Sequence, residues 1–343
     1  MKRILVAAAG TGGHVLPAYR FAKHAQTRGN EIIWVGGARD IEKRYALKIN
    51  AEFYSLTATG LRGKNILYAL RALINLSAST IVCLYIFLRS KPDLIIVFGG
   101  YISIPVGIAA ILLRKKLFTH EQNTVLGSAN KVLSRFARIN FLGLPLHHDS
   151  IPRAKLVGNP VGTYDQKRNS KDTGKLNIYV TGGSLGSEFI NSNIPNLLSN
   201  FPEQIKIIHQ SGKSYREKVQ ARYKNFKNVE VLEFVEDPLS VMQWSDFVIS
   251  RAGALTISEL IMLNKFGIII PLPSAIDNHQ LFNAEYYCNN GMGLIFQEKE
   301  DINKLKLILE DMIINLGFKK FRKIEASRYS AEHEILESIL ENG

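Results

Sequence analysis

The sequence predicts an α/β protein made of two doubly wound, Rossmann-like units, and three observations carry that prediction. Residues 4–9 form an apolar run that ends in Gly10-Thr11-Gly12-Gly13 and passes into helical spacing, and the same strand, glycine turn and helix restart at Leu176. The other apolar runs are short and alternate with helices, the pattern of a parallel sheet covered on both faces. Residues 164–175 (YDQKRNSKDTGK) hold one aromatic and no aliphatic side chain, as a linker does. The expected division is 1–160, a linker at 161–175, and 176–343, with the last helix free to cross back to the first domain and a cleft between the two. A length of 343 residues suits two domains.

Within the first unit, strands are expected at 4–9, 31–36, 93–98, 117–120 and 137–141. The first helix is expected from about Pro17, a residue favoured in a helix's first turn, to Arg28, with Gly29 as its stop. The run 74–88 is the longest apolar stretch, but it contains Asn75, Ser77, Ser79 and Thr80 between Arg71 and Arg89. It is shorter than the ~20 residues of a spanning helix. It reads equally well as a buried core helix or as part of a peripheral membrane surface. In the second unit, strands are expected at 176–181, 205–209, 229–233, 247–250 and 267–271, and helix throughout 301–340. Residues 4–9 are too short an apolar core for a secretory signal.

At 46% hydrophobic and 21% charged residues, the composition excludes a disordered chain or a disulfide-framed miniprotein. Only Cys83 and Cys288 are present, which suits a reducing compartment. The net charge of +13 is unevenly spread. Residues 1–155 carry 22 basic and 7 acidic side chains, and 156–343 carry 21 and 23. A basic first half suits an anionic partner, either nucleic acid or a membrane surface, though a bias toward solubility explains the charge as well. No helix-turn-helix, RNA-recognition or zinc pattern supports nucleic acid.

Several polar clusters fall where strands end. Gly10-Thr11-Gly12-Gly13-His14 and Gly182-Gly183-Ser184-Leu185-Gly186 each sit between a strand and a helix, where glycine lets backbone approach an anionic ligand. Tight strand-to-helix turns explain each loop taken alone. The dinucleotide fingerprint is only partly met, because Val15 takes the third glycine position, although Asp40 lies near where a ribose-binding acid would sit; a nicotinamide-dependent oxidoreductase is therefore a distant alternative. Small residues at 252–256 open a helix that carries Glu259, a carboxylate able to accept both hydroxyls of a ribose or simply to face solvent. His120-Glu121-Gln122-Asn123 follows a strand, and Asp277-Asn278-His279-Gln280 with Asn283 offers amides suited to sugar hydroxyls. The histidines, including adjacent His147 and His148, show no metal-ligand spacing.

Taken together, GTGGH (10–14), GLRGK (60–64), FGGYIS (98–103), HEQN (120–123), GNPV (158–161), GGSLGS (182–187), HQSGK (209–213), AGALTISE (252–259) and DNHQLFNA (277–284) resemble the MurG family of bacterial transferases. The resemblance implies a GT-B fold and transfer of N-acetylglucosamine from UDP-N-acetylglucosamine to lipid I, with inversion and without a metal or other cofactor. It implies His14 as general base or nucleophile-orienting group. For the donor it implies Thr11, Gly12, Gly13 and Asn123 with Gln280 at the sugar, Ser184 with Ala254, Leu255 and Thr256 at the diphosphate, Glu259 at the ribose and Val235 at the uracil. For the acceptor it implies Gly99, Gly100, Tyr101 and Asn283. Expected partners are UDP-N-acetylglucosamine, lipid I, an anionic membrane at the cytoplasmic face of the inner membrane, and other cell-wall synthesis proteins, but no nucleic acid. A related UDP-sugar transferase acting on another membrane lipid, such as diacylglycerol, is the nearer alternative. The chain departs from the family pattern at Gly162, where an arginine is usual, and at Leu185, Ala252, His279 and Ala9; either the grip on the diphosphate is weaker than in the family, or Arg251 or Lys213 supplies the missing charge.

Overall fold

Ile4, Leu5, Val6 and Ala7 are all fully buried, as a strand covered on both faces requires. They lie in β1 (Arg3–Ala7), an inner strand of the first of two parallel sheets. The computed structural model describes residues 1–38, 40–56, 66–162, 174–224, 226–321 and 330–343, without the side chains of 66–70. The GLRGK motif at 60–64 and residues 163–173 of the expected linker lie outside the described residues.

The first unit comprises residues up to Gly162 together with the C-terminal 330–343. Its strands are β1, β2 (Glu31–Gly36), β3 (Glu52–Ser55), β4 (Leu94–Val97), β5 (Lys116–Glu121), β6 (Asn140–Leu142) and β7 (Ala154–Leu156), in the order β3-β2-β1-β4-β5-β6-β7. Every pairing is parallel, with Val6 opposite Trp34 and Ile96. The two-residue period of β1 divides its side chains between two cores. Ile4 and Val6 pack with Val15 and Phe21 of α1 (Gly12–Thr27), Ala46 of α2 (Asp40–Lys48), and Ile335, Leu336 and Ile339 of the C-terminal helix. Leu5 and Ala7 pack with Cys83, Ile86 and Phe87 of α3 (Ile66–Ser90), Val106 and Ala110 of α4 (Ser103–Leu112), and Leu133 of α5 (Ser128–Leu133).

The second unit is built the same way from β8 (Leu176–Thr181), β9 (Ile205–Gln210), β10 (Val229–Leu232), β11 (Phe247–Ser250), β12 (Phe266–Ile269) and β13 (Gly293–Ile295), ordered β10-β9-β8-β11-β12-β13 and all parallel. Its helices are α6 (Glu188–Leu198), α7 (Arg216–Arg222), α8 (Pro238–Trp244), α9 (Ala254–Met262), α10 (His279–Asn289) and α11 (Ile302–Ile314). The last helix, α12 (Ala331–Glu341), belongs to the first unit: it packs on α1, and its Glu332 accepts the Gly162 N–H at 2.9 Å.

Four expectations about elements are corrected. The first helix begins at Gly12, not Pro17; Pro17 sits in its second turn, and its missing N–H leaves the Gly13 carbonyl without that i+4 donor. The stretch 301–340 is not one helix, because Leu316 takes a left-handed conformation (φ 51°) after α11 and a short 3-10 turn follows at Gly317–Lys320. The strand expected at 137–141 is β6, three residues long and starting at Asn140. The apolar run 74–88 is part of a longer helix, and 20 residues of it, Arg71–Ser90, are long and apolar enough to cross a membrane. One row of α3, Ala72, Ser79, Cys83, Ile86 and Ser90, is buried, whereas the opposite row, Ile74, Ile81, Tyr85 and Leu88, is 59–67% exposed. The helix therefore covers the sheet with one face and presents a second apolar face outward.

Candidate active site

In an open parallel sheet, ligands bind beyond the carboxyl ends of the strands where the strand order reverses. That point lies between β1 and β4 in the first unit and between β8 and β11 in the second. The sequence places a glycine motif after each of these four strands.

Beyond β1, the Gly10 N–H donates to Glu42 Oε1 at 2.7 Å, and Glu42 on α2 is fully buried. This fixes the backbone where the glycine loop begins. Exposed Thr11 is the N-cap of α1 without a side-chain cap bond, and the first turn has no acidic residue, so the Gly12, Gly13 and His14 amides stand at an end favourable to negative charge. His14 is half-buried, in that first turn. Beyond β4, Gly99 (φ 89°) lies against its imidazole: a Cβ at Gly99 would sit 3.0 Å from His14 Cδ2 and 3.2 Å from Nε2. Glycine at 99 leaves the Nε2 edge its room. Gly100 follows, and the half-buried Tyr101 extends its hydroxyl against Gly37.

The HEQN segment follows β5. Glu121, 3% exposed, accepts from Gln122 N (3.0 Å), Asn123 N (3.1 Å) and Asn123 Nδ2 (3.2 Å) on Oε1, and from Gly127 N and Asn130 Nδ2 (both 2.9 Å) on Oε2. One carboxylate thus holds the whole loop and orients Asn123. His120 lies 3.1 Å from the Gly158 carbonyl through Nε2 and 3.0 Å from Gln122 Nε2 through Nδ1, a pairing satisfied by the Nε2–H tautomer. Burial pushes its pKa down to about 4, so it is neutral and structural.

In the second unit, Ser184 is exposed at the tip of the turn after β8. After β11, α9 opens on Gly253 with no side-chain cap and no first-turn acid, whereas α6, α8 and α11 are capped by Ser187, Asp237 and Asp301. The amides of Ala254, Leu255 and Thr256 stand at that uncapped terminus, an anion site in form. Glu259, 6% exposed, lies further along α9. Gln280 Oε1 accepts from Leu272 N (3.0 Å) and Ala252 N (3.3 Å), which commits its oxygen and leaves Nε2 as the group it can offer. Two successive left-handed residues, Asp277 and Asn278 (both φ 52°), turn the chain into α10 just before it.

Some expected residues take other places. Asn283 is fully buried and donates to the Ala252 carbonyl at 3.1 Å, so it braces the approach to α9 instead of meeting an acceptor. Arg251 Nη1 is spent on the Ile270 and Pro271 carbonyls and on Glu298 at 2.5 Å, a strut between β11 and its neighbours and not a spare charge for a phosphate. Lys213 is exposed. Gly162 has φ 82°, and the Arg20 guanidinium lies beside it, with Nη1 3.3 Å from the Pro160 carbonyl. The Val235 side chain is 5% exposed and its N–H is bonded to Gln210 Oε1. The expected site residues thus divide between the units: Thr11, Gly12, Gly13, His14, Gly99, Gly100, Tyr101 and Asn123 follow β1, β4 and β5, and Ser184, Val235, Ala254, Leu255, Thr256, Glu259 and Gln280 follow β8, β10, β11 and β12. Sequence reasoning missed Glu42 and Gln210. A helix-start acid gives no signal of burial, and Gln210 was visible only as a letter in HQSGK. Among the described residues, no group of three His, Cys, Asp or Glu side chains could hold a metal ion.

Profiles of the glycosyltransferase family 28 N-terminal and C-terminal domains match residues 4–141 and 177–338. A UDP-N-acetylglucosamine–N-acetylmuramyl-(pentapeptide) pyrophosphoryl-undecaprenol N-acetylglucosamine transferase of Vesicomyosocius okutanii is 34% identical over 328 residues, covering 95% of this chain and 92% of that protein. The protein of the same name from Ectopseudomonas mendocina is 36% identical over 320 residues, 91% and 90% of the two chains. The crystal structure of Acinetobacter baumannii MurG aligns with 99% of this chain and 100% of its own at a TM-score of 0.81 and 28% identity. Two parallel Rossmann-like sheets, each matched by its half of one family over nearly the full length, make this chain a member of glycosyltransferase family 28.

Proposed function

We propose that this protein transfers N-acetylglucosamine from UDP-N-acetylglucosamine to the C4 hydroxyl of the muramyl sugar of lipid I, giving lipid II. Support comes above all from the relatives that carry this activity in their names across nine-tenths of the chain. The motifs at both switch points agree with it. In the reaction the acceptor hydroxyl oxygen forms a bond to C1 of the donor sugar, the C1–oxygen bond to UDP breaks, and the configuration inverts. His14 takes the hydroxyl proton or orients that oxygen; an imidazole titrates near neutrality and suits either task. Negative charge grows on the departing diphosphate, where the uncapped amides of 254–256 and the Ser184 hydroxyl stabilise it. Glu259 binds the ribose and Val235 adjoins the uracil; Gln280, Asn123 and the 11–13 loop hold the sugar. Tyr101, Gly99 and Gly100 face the acceptor. With amides and a hydroxyl supplying that electrostatic stabilisation, no metal is needed.

A His14→Ala enzyme is expected to lose about 100-fold or more in kcat while UDP binding stays as in the wild type; an unchanged kcat removes His14 from the chemistry.

The outward face of α3 gives the enzyme its place. Ile74, Ile81, Tyr85 and Leu88 form an exposed apolar row, with Arg71, Arg89 and Lys91 exposed at its ends. Such a face lies in the headgroup region of an anionic leaflet, where each nearby basic residue contributes about 1 kcal/mol. The protein is then peripheral, on the cytoplasmic leaflet that carries its acceptor. Ile81→Glu with Leu88→Glu should abolish sedimentation with vesicles containing anionic lipid at physiological salt and leave transfer to a soluble acceptor analogue intact. Equal sedimentation of the variant and wild type rules out α3 as the contact.

A further inference from the structure

Gln210 ends β9 and is 4% exposed. Its side-chain oxygen accepts from the Val235 N–H at 3.0 Å and from the Tyr179 hydroxyl at 3.2 Å, and its Nε2 donates to the Gly183 carbonyl at 2.8 Å. The reverse amide orientation would set donor against donor at Val235, so the network fixes which way the amide points. These partners come from different segments. Gly183 belongs to the turn after β8, Val235 to the loop after β10, and Tyr179 to β8 itself.

The same turn is held a second way. Gly183 N–H donates to Thr181 Oγ1 at 3.0 Å, so both polar groups of the Gly183 backbone are committed and exposed Ser184 follows immediately. Gly186 (φ 79°) closes the turn directly against the Ser211 carbonyl, where any Cβ would collide. Ser211 is the residue after Gln210, and its carbonyl also accepts from Asn191 Nδ2 at 2.9 Å. With its N–H spent on Gln210, Val235 has only its carbonyl left to offer a base.

We propose that Gln210 is a positioning residue for the nucleotide donor: by tying the Val235 backbone to the Gly183 turn, it sets the spacing between the base-side and diphosphate-side contacts. The proposal rests on reading this edge of the second sheet as the UDP site. A side chain that only held the fold would affect stability alone. One that sets the spacing of two ligand contacts changes how well a base and a diphosphate are bound at once, and so acts on donor affinity.

Gln210→Met keeps the volume and removes all three bonds. It is expected to raise the KM for UDP-N-acetylglucosamine at least tenfold, and the Kd for UDP by a similar factor, with kcat within about threefold and the acceptor KM unchanged. Tyr179→Phe, which removes only one of the three bonds, should raise the donor KM about threefold and serves if the first variant folds poorly. Asn177→Ala is the control. Asn177 is buried at the opposite end of β8, where its Nδ2 lies 3.3 Å from the Trp244 carbonyl, so its loss should lower Tm and leave the donor KM alone. A wild-type donor KM in Gln210→Met, whatever its Tm, overturns the proposal. Failure of the wild-type enzyme itself to bind UDP overturns instead the assignment of this edge to the donor.

Discussion

His14 stands out in the sequence through the family resemblance of its GTGGH motif, but the packing around it is not legible there. Room for its Nε2 edge depends on Gly99, 85 residues away in sequence, and the loop that carries it is pinned by Glu42, which reads as an ordinary first-turn acid of α2. Two other histidines in the quoted motifs prove to be structural. His120 and His209 are buried, with pKa values pushed down by desolvation to about 4 and about 3 from an ordinary 6.5. His209 is held between Asn191 Oδ1 (3.0 Å) and the Tyr223 hydroxyl (3.1 Å). Because their folded pKa values lie below the unfolded one, the folded state binds fewer protons. The stability they contribute is complete above pH 6.5 and is lost as the pH falls from 6.5 toward 4 and 3. At pH 5 the loss is about 2 kcal/mol for each. One lies in each unit, so thermal melts at pH 7.5 and pH 5.0 should show both units weakened in acid. Equal melting temperatures at the two values would contradict the burial of neutral imidazoles.

At the scale of elements, the interior strands of both sheets were the most legible. Glu31–Gly36, Leu176–Thr181 and Phe247–Ser250 are bounded as the sequence predicts, because a strand covered on both faces shows as a mostly apolar run. The edge strands β3, β7 and β13 escaped notice for the converse reason: they are short and mostly exposed or half-buried, so no apolar run marks them. Pro17 misled the placement of α1, since a proline favoured in a first turn here lies in the second turn of a helix that starts at Gly12. For α12 the sequence allowed a helix crossing back to the first domain, but not the elements it meets there, α1 and the β1 core. Ile339 is fully buried there, so Ile339→Ala should destabilise the first unit by about 2–5 kcal/mol, read by chemical denaturation, and leave UDP affinity in the second unit unchanged. A cost below about 0.5 kcal/mol would mean that α12 is not part of that core.

For the whole molecule, the alternation of strands, helices and glycine turns was enough to give two Rossmann-like units, and the strand orders supply what periodicity cannot: the switch points at which the motifs fall. The charge asymmetry was legible as a number, but its setting comes from α3, whose opposite rows are buried and exposed apolar faces beside Arg71 and Arg89. The departure at Gly162 and the expected compensator Arg251 both have structural roles, one at Glu332 of α12 and one as a strut to Glu298, so neither stands as a spare contact for the diphosphate. In the proposed reaction the diphosphate is therefore left to the amides of 254–256 and the Ser184 hydroxyl. The most direct test is transfer of labelled N-acetylglucosamine from its UDP donor to a short-chain lipid I analogue in the presence of EDTA. Formation of the labelled disaccharide product, undiminished by the chelator, is the predicted result; binding of UDP-N-acetylglucosamine without any transfer to that acceptor would contradict the proposed function.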